Sequence, residues 1–410
     1  MFGWDQVRSL FGLVLLVAIS WSMSAHRRRI DWRLVGTGLT LQLILALFVS
    51  SSWGQTAFGA FNTGVQSILG YAETGASFVF GKLADGSAGV GATIAFAILP
   101  SIIFFSSLMA VLYHLGVMGA VIRGLAWSMQ RTLKTSGAET LCAAGNIFVG
   151  QTEAPLLVRP FLPRMSRSEL MVVMSSGFAT VAGGVLIAYV RMLRDVFPDV
   201  AGHMLSASLM SAPAALVVAK IMVPETEGIQ SEAKLELPRD VNVLDAAARG
   251  ASEGLKLALN VGAMLIAFVG LMALVNGVLS GVGGWFGFPE LSLQWLLGWV
   301  LAPLAYMMGV PWAEAREVGS LMGLKTVLNE FVAYESLASR GAELSDRAKL
   351  IAVYALCGFA NFASIAIQLG GLGPLAPDRR RDLANLALRA MIAGNLAAFM
   401  TASMMGMLRS

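Results

Sequence analysis

The sequence has little charge and a large excess of apolar residues. Charged residues make up 13% of the 410 residues and hydrophobic residues 56%, whereas a soluble domain has about 25% charged residues. This composition excludes an ordinary soluble domain and indicates a protein that crosses a membrane several times. The formal net charge of +4 at pH 7 then reflects basic cytoplasmic loops, and a nucleic-acid partner is not expected.

Other scarce residue types exclude several chemistries. There are two cysteines, Cys142 and Cys357, and both lie in apolar segments, so a disulfide framework is not indicated. The three histidines, His26, His114 and His203, are scattered and form no metal-binding pattern. A Gly-x-x-x-x-Gly-Lys-Ser/Thr motif is absent from the sequence, which argues against ATP-driven pumping by this chain.

Eight apolar segments are candidates for membrane spans. They are residues 8–24, 34–52, 89–116, 168–190, 203–222, 251–280, 348–371 and 388–408. Arginine clusters at 27–29 and 379–381 follow the first and seventh spans, and such clusters favour the cytoplasmic side. Both chain termini are therefore predicted to be periplasmic. The bias is not complete, because four arginines fall outside in this scheme: Arg191, Arg194, Arg340 and Arg347.

One polar and broken segment interrupts the apolar sequence. Residues 145–160 contain Asn146, Gln151, Thr152 and Glu153 together with glycines and prolines, which interrupt helices. Polar, irregular backbone at membrane depth is costly and is tolerated where it lines a cavity. Because basic residues flank this segment on both sides, we interpret it as a re-entrant hairpin that enters from the cytoplasm.

The same pattern occurs a second time. Residues 146–149 are echoed by 329–332, and residues 177–180 are echoed by 358–361, in the same order and at nearly the same spacing. This indicates an internal duplication, with a second hairpin in residues 312–342 that enters from the outside. Paired broken segments in two halves of a chain are typical of the binding site of a secondary transporter.

The predicted fold is an all-α polytopic membrane protein with about eight transmembrane helices and two opposed re-entrant hairpins in an inverted repeat. Five regions are expected along the chain. They are N-terminal scaffold helices with an outer interfacial helix (1–116), a first repeat with an interfacial helix, a hairpin and two spans (117–222), a cytoplasmic loop (223–249), a scaffold helix (250–290) and a second repeat with a surface helix, a hairpin and two spans (291–410).

Two carboxylates are the leading candidates for a functional site, since Glu153 and Glu330 are predicted to lie in the membrane interior. The alternative is a structural ion pair, for instance between Glu330 and Lys325. Neutral donors and acceptors accompany the carboxylates, with interhelical hydrogen bonding as the alternative role. These neutral residues are Gln151, Thr152, Asn361 and Ser364.

Oxygen donors for a small hard cation are also present. Asn146 and Thr180 lie on different elements, and backbone carbonyls of unwound turns could complete the coordination shell. Packing is the alternative role for both residues. Phe359 flanks the polar cluster and could stack on a flat ring, although an isolated aromatic is more often part of a core.

At these residues the chain resembles the concentrative nucleoside transporter family, and in particular its bacterial sodium-coupled members. The match runs through residues 145–153, 329–334 and 357–362, and it extends over essentially the whole chain. The resemblance implies a sodium-coupled symporter that moves nucleosides such as uridine across the bacterial inner membrane by alternating access. It also implies a homotrimer in the lipid membrane, no enzymatic activity and no cofactor other than the coupling sodium ion.

The resemblance further implies the roles of individual residues. It places the nucleobase near Gln151, Thr152 and Glu153, with Val185 beside it. It places the ribose hydroxyls at Glu330, Asn361 and Ser364, with Phe359 adjacent. It assigns sodium to the side chains of Asn146 and Thr180 and to the backbone carbonyls of Val149 and Val181. Several relatives have serine in place of Thr180, which keeps the hydroxyl, and some bacterial relatives couple to protons instead.

Two functions of other classes remain as alternatives. A membrane-embedded hydrolase could use Glu153 or Glu330 as a base, but the sequence offers it no metal cluster and no convincing nucleophile pair. A channel is the second alternative, and the two opposed hairpins favour alternating access over it. Saturable uptake that depends on an ion gradient would distinguish a transporter from both.

Overall fold

The computed structural model describes residues 3–85, 94–228 and 240–408, and within these ranges the chain is helical without any strand. A π-helical turn (Ile94–Ile98) and several short 3₁₀ segments accompany the α-helices. The α-helices are α1 (Trp4–Ser22), α2 (Trp32–Ser50), α3 (Ser52–Phe80), α4 (Lys82–Asp85), α5 (Leu99–His114), α6 (Val117–Leu133), α7 (Gly137–Gly145), α8 (Arg167–Ala179), α9 (Gly183–Leu193), α10 (Val200–Met222), α11 (Val243–Trp285), α12 (Leu293–Met307), α13 (Trp312–Val327), α14 (Glu330–Arg340), α15 (Asp346–Leu356), α16 (Phe362–Leu372) and α17 (Arg380–Leu408).

Seven helical segments in the described part of the chain are long and apolar enough to span a membrane. They are α1, α2, Ile94–His114, Arg167–Leu193, α10, α11 and Pro377–Leu408. The remaining predicted span, 348–371, consists of α15 and α16, two helices of 11 residues each with a break between them. The prediction of an all-α membrane protein with about eight crossing elements is confirmed, and two of these elements, Arg167–Leu193 and 348–371, are each divided by a break.

Both predicted hairpins are present, and their arms differ. In hairpin 1, α7 is followed by turns at 146–153 and then by 3₁₀ segments, Ala154–Val158 and Leu162–Arg164, because prolines in this arm remove the amide donors that an α-helix needs. In hairpin 2 both arms, α13 and α14, are α-helices. The side chain of Asn329 begins the second arm by accepting a hydrogen bond of 2.9 Å from the backbone N–H of Val332.

Hairpin 1 has its base at the end of the molecule that carries the basic loops, which we name the basic end (residues 24–29, 223–228 and 379–381). The Ser166 hydroxyl donates a 2.6 Å hydrogen bond to Glu225. The Arg379 guanidinium donates to the carbonyl of Met165. These contacts join the end of hairpin 1 to the loops that follow α10 and precede α17.

Hairpin 2 has its base at the opposite end, which we name the terminal end (residues 3–9, 309–312 and 406–408). Arg8 donates a 3.1 Å hydrogen bond to the carbonyl of Val310, just before α13. Arg347 donates to the carbonyls of Asp5 (3.2 Å) and Gly406 (2.7 Å), which lie near the two chain termini. The two hairpins therefore enter the molecule from opposite ends, as an inverted repeat requires.

The arginines that depart from the predicted charge bias have specific partners. Arg191 and Arg194 of α9 both pair with Glu73 of α3, at 3.3 and 3.4 Å. Arg340 pairs with Glu317 at 3.3 Å. Arg347, as described above, donates to backbone carbonyls. Carboxylates and carbonyls thus hold these side chains locally, which explains why they do not follow the distribution of the arginines at the basic end.

The long helix α11 begins inside the segment predicted as a loop. Its first residue is Val243, so the predicted loop 223–249 is too long at its C-terminal end. Asn242 caps the helix by accepting a 2.9 Å hydrogen bond from the N–H of Asp245. The helix therefore begins within the polar segment predicted as a loop. Residues 229–239 of that loop and residues 89–93 of the third predicted span lie outside the described residues.

Candidate functional site

The two broken helices cross at their breaks. The chain is interrupted between α8 and α9 and again between α15 and α16. Gly358, in the second break, has a φ of +120°, and a Cβ at this position would lie 2.6 Å from the carbonyl oxygen of Phe178 at the end of α8. Only glycine satisfies both constraints. The N-termini of α9 and α16, with their partial positive charge, therefore start from this crossing.

Glu330 lies at the first residue of α14, and its carboxylate is held by two donors. The Tyr189 hydroxyl donates a 2.8 Å hydrogen bond to Oε1. The Asn361 side-chain amide donates a 2.8 Å hydrogen bond to Oε2. Asn361 also accepts a 2.8 Å hydrogen bond from the N–H of Ser364, and it thereby caps α16. The structure thus brings Glu330, Asn361 and Ser364 together, as the sequence predicted for the ribose subsite.

The alternative ion pair between Glu330 and Lys325 is not formed among the described side chains. Lys325 donates a 2.9 Å hydrogen bond to the carbonyl of Ala355, and its ammonium lies 5.6 Å from the centre of the Phe399 ring. The alternative of interhelical bonding does apply to Asn361, because its amide joins α16 to α14. The Glu330 carboxylate is therefore fixed by neutral donors while part of its acceptor capacity stays available.

The tip of hairpin 1 packs on α8 and α16. A Cβ on Gly177 of α8 would lie 2.9 Å from Cβ of Gln151 and 2.9 Å from Nε2 of Gln368. A Cβ on Gly371 of α16 would lie 2.7 Å from the Thr152 methyl group. Small residues on both helices thus allow Gln151 and Thr152 to approach closely.

One face of α16 links the two predicted parts of the substrate site. Asn361, Ser364, Gln368 and Gly371 follow helical spacing, so they form a stripe along this helix. Ten residues separate Asn361 from Gly371, which corresponds to about 15 Å along the helix axis. Glu330 therefore lies at one end of the stripe and Thr152 at the other, and none of the described hydrogen bonds joins them directly.

Glu153 faces a cavity of about 240 Å³ between hairpin 1 and the helices α5 and α11. Its carboxylate accepts a 3.2 Å hydrogen bond from the N–H of Gly150. Tyr113, Arg249 and Glu253 line the same cavity from the opposite side. Arg249 also binds the Asp240 carboxylate at 2.6 and 2.9 Å, so the cavity lies near the basic end.

The predicted sodium ligands come from hairpin 1 and from the break between α8 and α9. Asn146 is fully buried, and its Oδ1 atom has no hydrogen-bond partner among the described residues. The Thr180 hydroxyl donates a 2.8 Å hydrogen bond to the carbonyl of Ser176, which leaves its lone pairs available. The described residues also contribute no hydrogen bond to the carbonyls of Val149 or Val181. Free oxygens on two adjacent elements fit a small hard cation.

Two further predicted residues lie beside these groups. Val185 is buried in the first turn of α9, where its N–H donates a 3.0 Å hydrogen bond to the carbonyl of Ala182. Phe359 is half-buried in the second break, and its carbonyl accepts a 2.9 Å hydrogen bond from the N–H of Asn361. Both residues are therefore placed by the backbone of a helix break.

The sequence prediction missed three polar residues that contact the site: Ser176, Tyr189 and Gln368. Ser176 accepts a 3.1 Å hydrogen bond from the Asn146 amide, and Gln368 donates a 3.0 Å hydrogen bond to the carbonyl of Met174. Ser176 lies four residues before Thr180, and Gln368 lies four residues after Ser364. This helical spacing could have indicated both residues. No sequence signal marks Tyr189, because tyrosines are common in apolar helices.

Three family models match this chain. They describe the N-terminus of Na⁺-dependent nucleoside transporters (residues 11–83), a nucleoside recognition region (residues 95–195) and the C-terminus of Na⁺-dependent nucleoside transporters (residues 203–406). A rat protein, solute carrier family 28 member 3, is 44% identical over 99% of this chain. The chain belongs to the concentrative nucleoside transporter family. Members of this family transport nucleosides, and the chain is therefore not an enzyme.

Relatives of different length and solved structures agree with this assignment. This member of the family is 46% identical to an uncharacterized transporter from Haemophilus influenzae, with 97% of each chain covered. It spans 59% of the length of the rat solute carrier, and 64% of the rat sodium/nucleoside cotransporter 1, to which it is 43% identical. CNTnw in an inward-facing substrate-bound state has a TM-score of 0.93 and 45% identity over 98% of both chains. The family fold is thereby shown for the whole chain.

Proposed function

We propose that this nucleoside transporter is a sodium-coupled symporter that moves nucleosides such as uridine across the bacterial inner membrane by alternating access. The observation that carries the proposal is the crossing of two helix breaks, where a fixed carboxylate and unpartnered oxygens lie on neighbouring elements. Such breaks in two inverted halves are the usual binding site of a secondary transporter.

The Glu330 end of the α16 stripe suits a sugar. A ribose presents hydroxyl donors, and hydrogen bonds to a carboxylate are stronger than those between neutral groups. Asn361 and Ser364 add neutral polar groups beside this carboxylate, and Phe359 adds an apolar surface. We therefore propose the ribose hydroxyls as the ligands of Glu330.

The tip of hairpin 1 suits a nucleobase. Gln151, Thr152 and Glu153 offer both donors and acceptors to the amide-like edge of a flat ring, and Val185 offers an apolar surface. The cavity at Glu153 gives such a ring an approach from the basic end. A few polar groups around a largely apolar cavity are typical of sites for neutral ligands.

Sodium would couple to the substrate through hairpin 1. Asn146 and Val149 precede the tip residue Gln151, while Thr180 and Val181 belong to the first helix break. An ion held by all four oxygens would order the hairpin before the nucleoside binds and would thereby lower the cost of binding it. Proton coupling is the alternative, and it would leave these oxygens without a role in transport.

The proposed motion displaces the hairpins and broken helices against a scaffold. The regions predicted from the sequence assign the scaffold to 1–116 and 250–290 and the moving repeats to 117–222 and 291–410. The contact of α5 with α11 supports this division, because a Cβ on Gly254 would lie 2.8 Å from the Ile103 backbone. Only 6% of the most apolar stretch of α11 is buried within one chain, which leaves this helix available for lipid and for the neighbouring subunits of the homotrimer that the family resemblance implies.

Uptake into proteoliposomes tests the function. Purified protein should accumulate radiolabelled uridine when sodium is high outside, with saturation, and accumulate little when potassium replaces sodium. Asn146→Ala should raise the sodium concentration needed for half-maximal uptake. Uptake driven equally by a proton gradient without sodium would establish the alternative coupling ion, and uptake without saturation would indicate a channel.

A further inference from the structure

Tyr189 contacts Glu330 but has no role in the transport scheme above. It belongs to α9, its side chain is fully buried, and its hydroxyl donates a 2.8 Å hydrogen bond to Oε1 of Glu330. This bond joins the first repeat to hairpin 2 of the second repeat. Because the side chain is fully buried and its hydroxyl hydrogen is used by Glu330, we expect it to act on the substrate through that carboxylate.

The acceptor capacity of Glu330 shows what the hydroxyl does. An ionised carboxylate has about four acceptor positions. Tyr189 occupies one position on Oε1, and Asn361 occupies one on Oε2. At most one position then remains on each oxygen, because the carboxylate also lies near the backbone N–H of Glu330 itself. With both donors in place the carboxylate plane is fixed, and the two remaining positions match the adjacent hydroxyls of a diol.

Ring packing holds the Tyr189 side chain in place next to Glu330. The Tyr189 ring centre lies 4.6 Å from the ring of Tyr334 and 5.6 Å from the ring of Phe331. Both neighbours belong to α14, the helix that begins with Glu330. A change of Tyr189 to phenylalanine would therefore keep the packing and remove only the hydrogen bond.

We infer that Tyr189 is a positioning residue for Glu330, whose carboxylate it orients so that both oxygens can accept hydrogen bonds from the diol of a ribose. This inference rests on the proposed ribose contact of Glu330. It assigns part of the discrimination between ribonucleosides and deoxynucleosides to a side chain that does not touch the substrate.

Binding measurements on Tyr189→Phe test the inference. At saturating sodium, uridine should bind about three- to tenfold more weakly, because a hydrogen bond that fixes the carboxylate is lost. The loss should be smaller for 2′-deoxyuridine and for 3′-deoxyuridine, because each lacks one hydroxyl of the diol. Tyr334→Phe is the matched control, since the buried Tyr334 hydroxyl donates a 2.9 Å hydrogen bond to the carbonyl of Val353 and not to Glu330. This control should leave the preference for uridine over both analogues unchanged.

Glu330→Gln provides the reference that separates the two proposals. If this variant keeps the full preference for uridine over both analogues, the ribose contact itself is wrong. If Glu330→Gln loses the preference while Tyr189→Phe retains it, only the role of Tyr189 is wrong. Equal losses for uridine and both analogues in Tyr189→Phe, with a lowered melting temperature of the free protein, would give Tyr189 a purely structural role.

Discussion

The side-chain amide of Asn146 has a donor nitrogen and an acceptor oxygen, and only the nitrogen is hydrogen-bonded among the described residues. Its Nδ2 atom donates a 3.1 Å hydrogen bond to the Ser176 hydroxyl, while the buried Oδ1 atom has no described partner. A buried acceptor without a donor is costly, and a cation bound at this oxygen would remove that cost. At the scale of single residues, the Ser176 hydroxyl and the Cys142 sulfur, which lies 3.7 Å from the same Nδ2 atom, thus determine which atom of Asn146 faces the proposed cation.

Ser176→Ala should therefore weaken the sodium dependence of transport without removing a predicted ligand. Loss of the hydroxyl leaves the Asn146 amide held only by its weaker contact with the Cys142 sulfur. The sodium concentration for half-maximal uridine uptake should therefore rise about two- to tenfold. Ser175→Ala is the control, because it removes a neighbouring buried hydroxyl for which the described residues provide no partner. Identical sodium dependence in Ser176→Ala and Ser175→Ala would contradict this role of Ser176.

At the scale of helices, the central feature is the crossing of the two breaks at Gly358. The sequence marked both positions, because the glycines and polar residues at 177–180 and 358–361 repeat in order, but it predicted 168–190 and 348–371 each as one membrane span. It could not predict that the breaks touch, since that contact depends on how α8 and α15 pack. It also indicated that glycines and prolines interrupt a helix in hairpin 1, and the structure shows that the prolines produce 3₁₀ segments in the second arm.

Gly358→Ala should destabilise the protein by about 2 kcal/mol or more, because a side chain is strained at this φ and its Cβ would approach the Phe178 carbonyl. The melting temperature of purified protein in detergent measures this loss. Gly370→Ala, on the same broken element, is the control, since a Cβ there has open space. Its melting temperature should stay equal or rise slightly, because alanine favours a helix. Equal melting temperatures for the two variants would show that the crossing tolerates a side chain.

At the scale of the whole molecule, the arginine distribution predicts the orientation in the membrane. The structure places the loops around 27–29, 223–228 and 379–381 at one end and the chain termini at the other, so one measurement orients the entire chain. The sequence could predict this arrangement because loop charge depends only on local composition. It could not predict the partners of the exceptional arginines, which come from distant parts of the chain.

Cysteine labelling with a membrane-impermeant maleimide in intact cells tests the orientation. A cysteine in place of Asp195, at the terminal end, should be labelled, while a cysteine in place of Glu227, at the basic end, should react only after the cells are opened. The native cysteines are buried and should give little background. The reverse labelling pattern would invert the predicted topology.

The ion pairs of Arg191 and Arg194 with Glu73 have a kinetic consequence. They connect α9, part of the proposed moving unit, to α3, part of the proposed scaffold. Any displacement of one unit along the other must break these contacts in every cycle. Partly exposed pairs of this kind contribute up to about 1 kcal/mol each, which corresponds to roughly fivefold in a rate constant. The contacts would therefore slow the exchange between states, and higher ionic strength would accelerate turnover while the affinity for nucleoside stays constant.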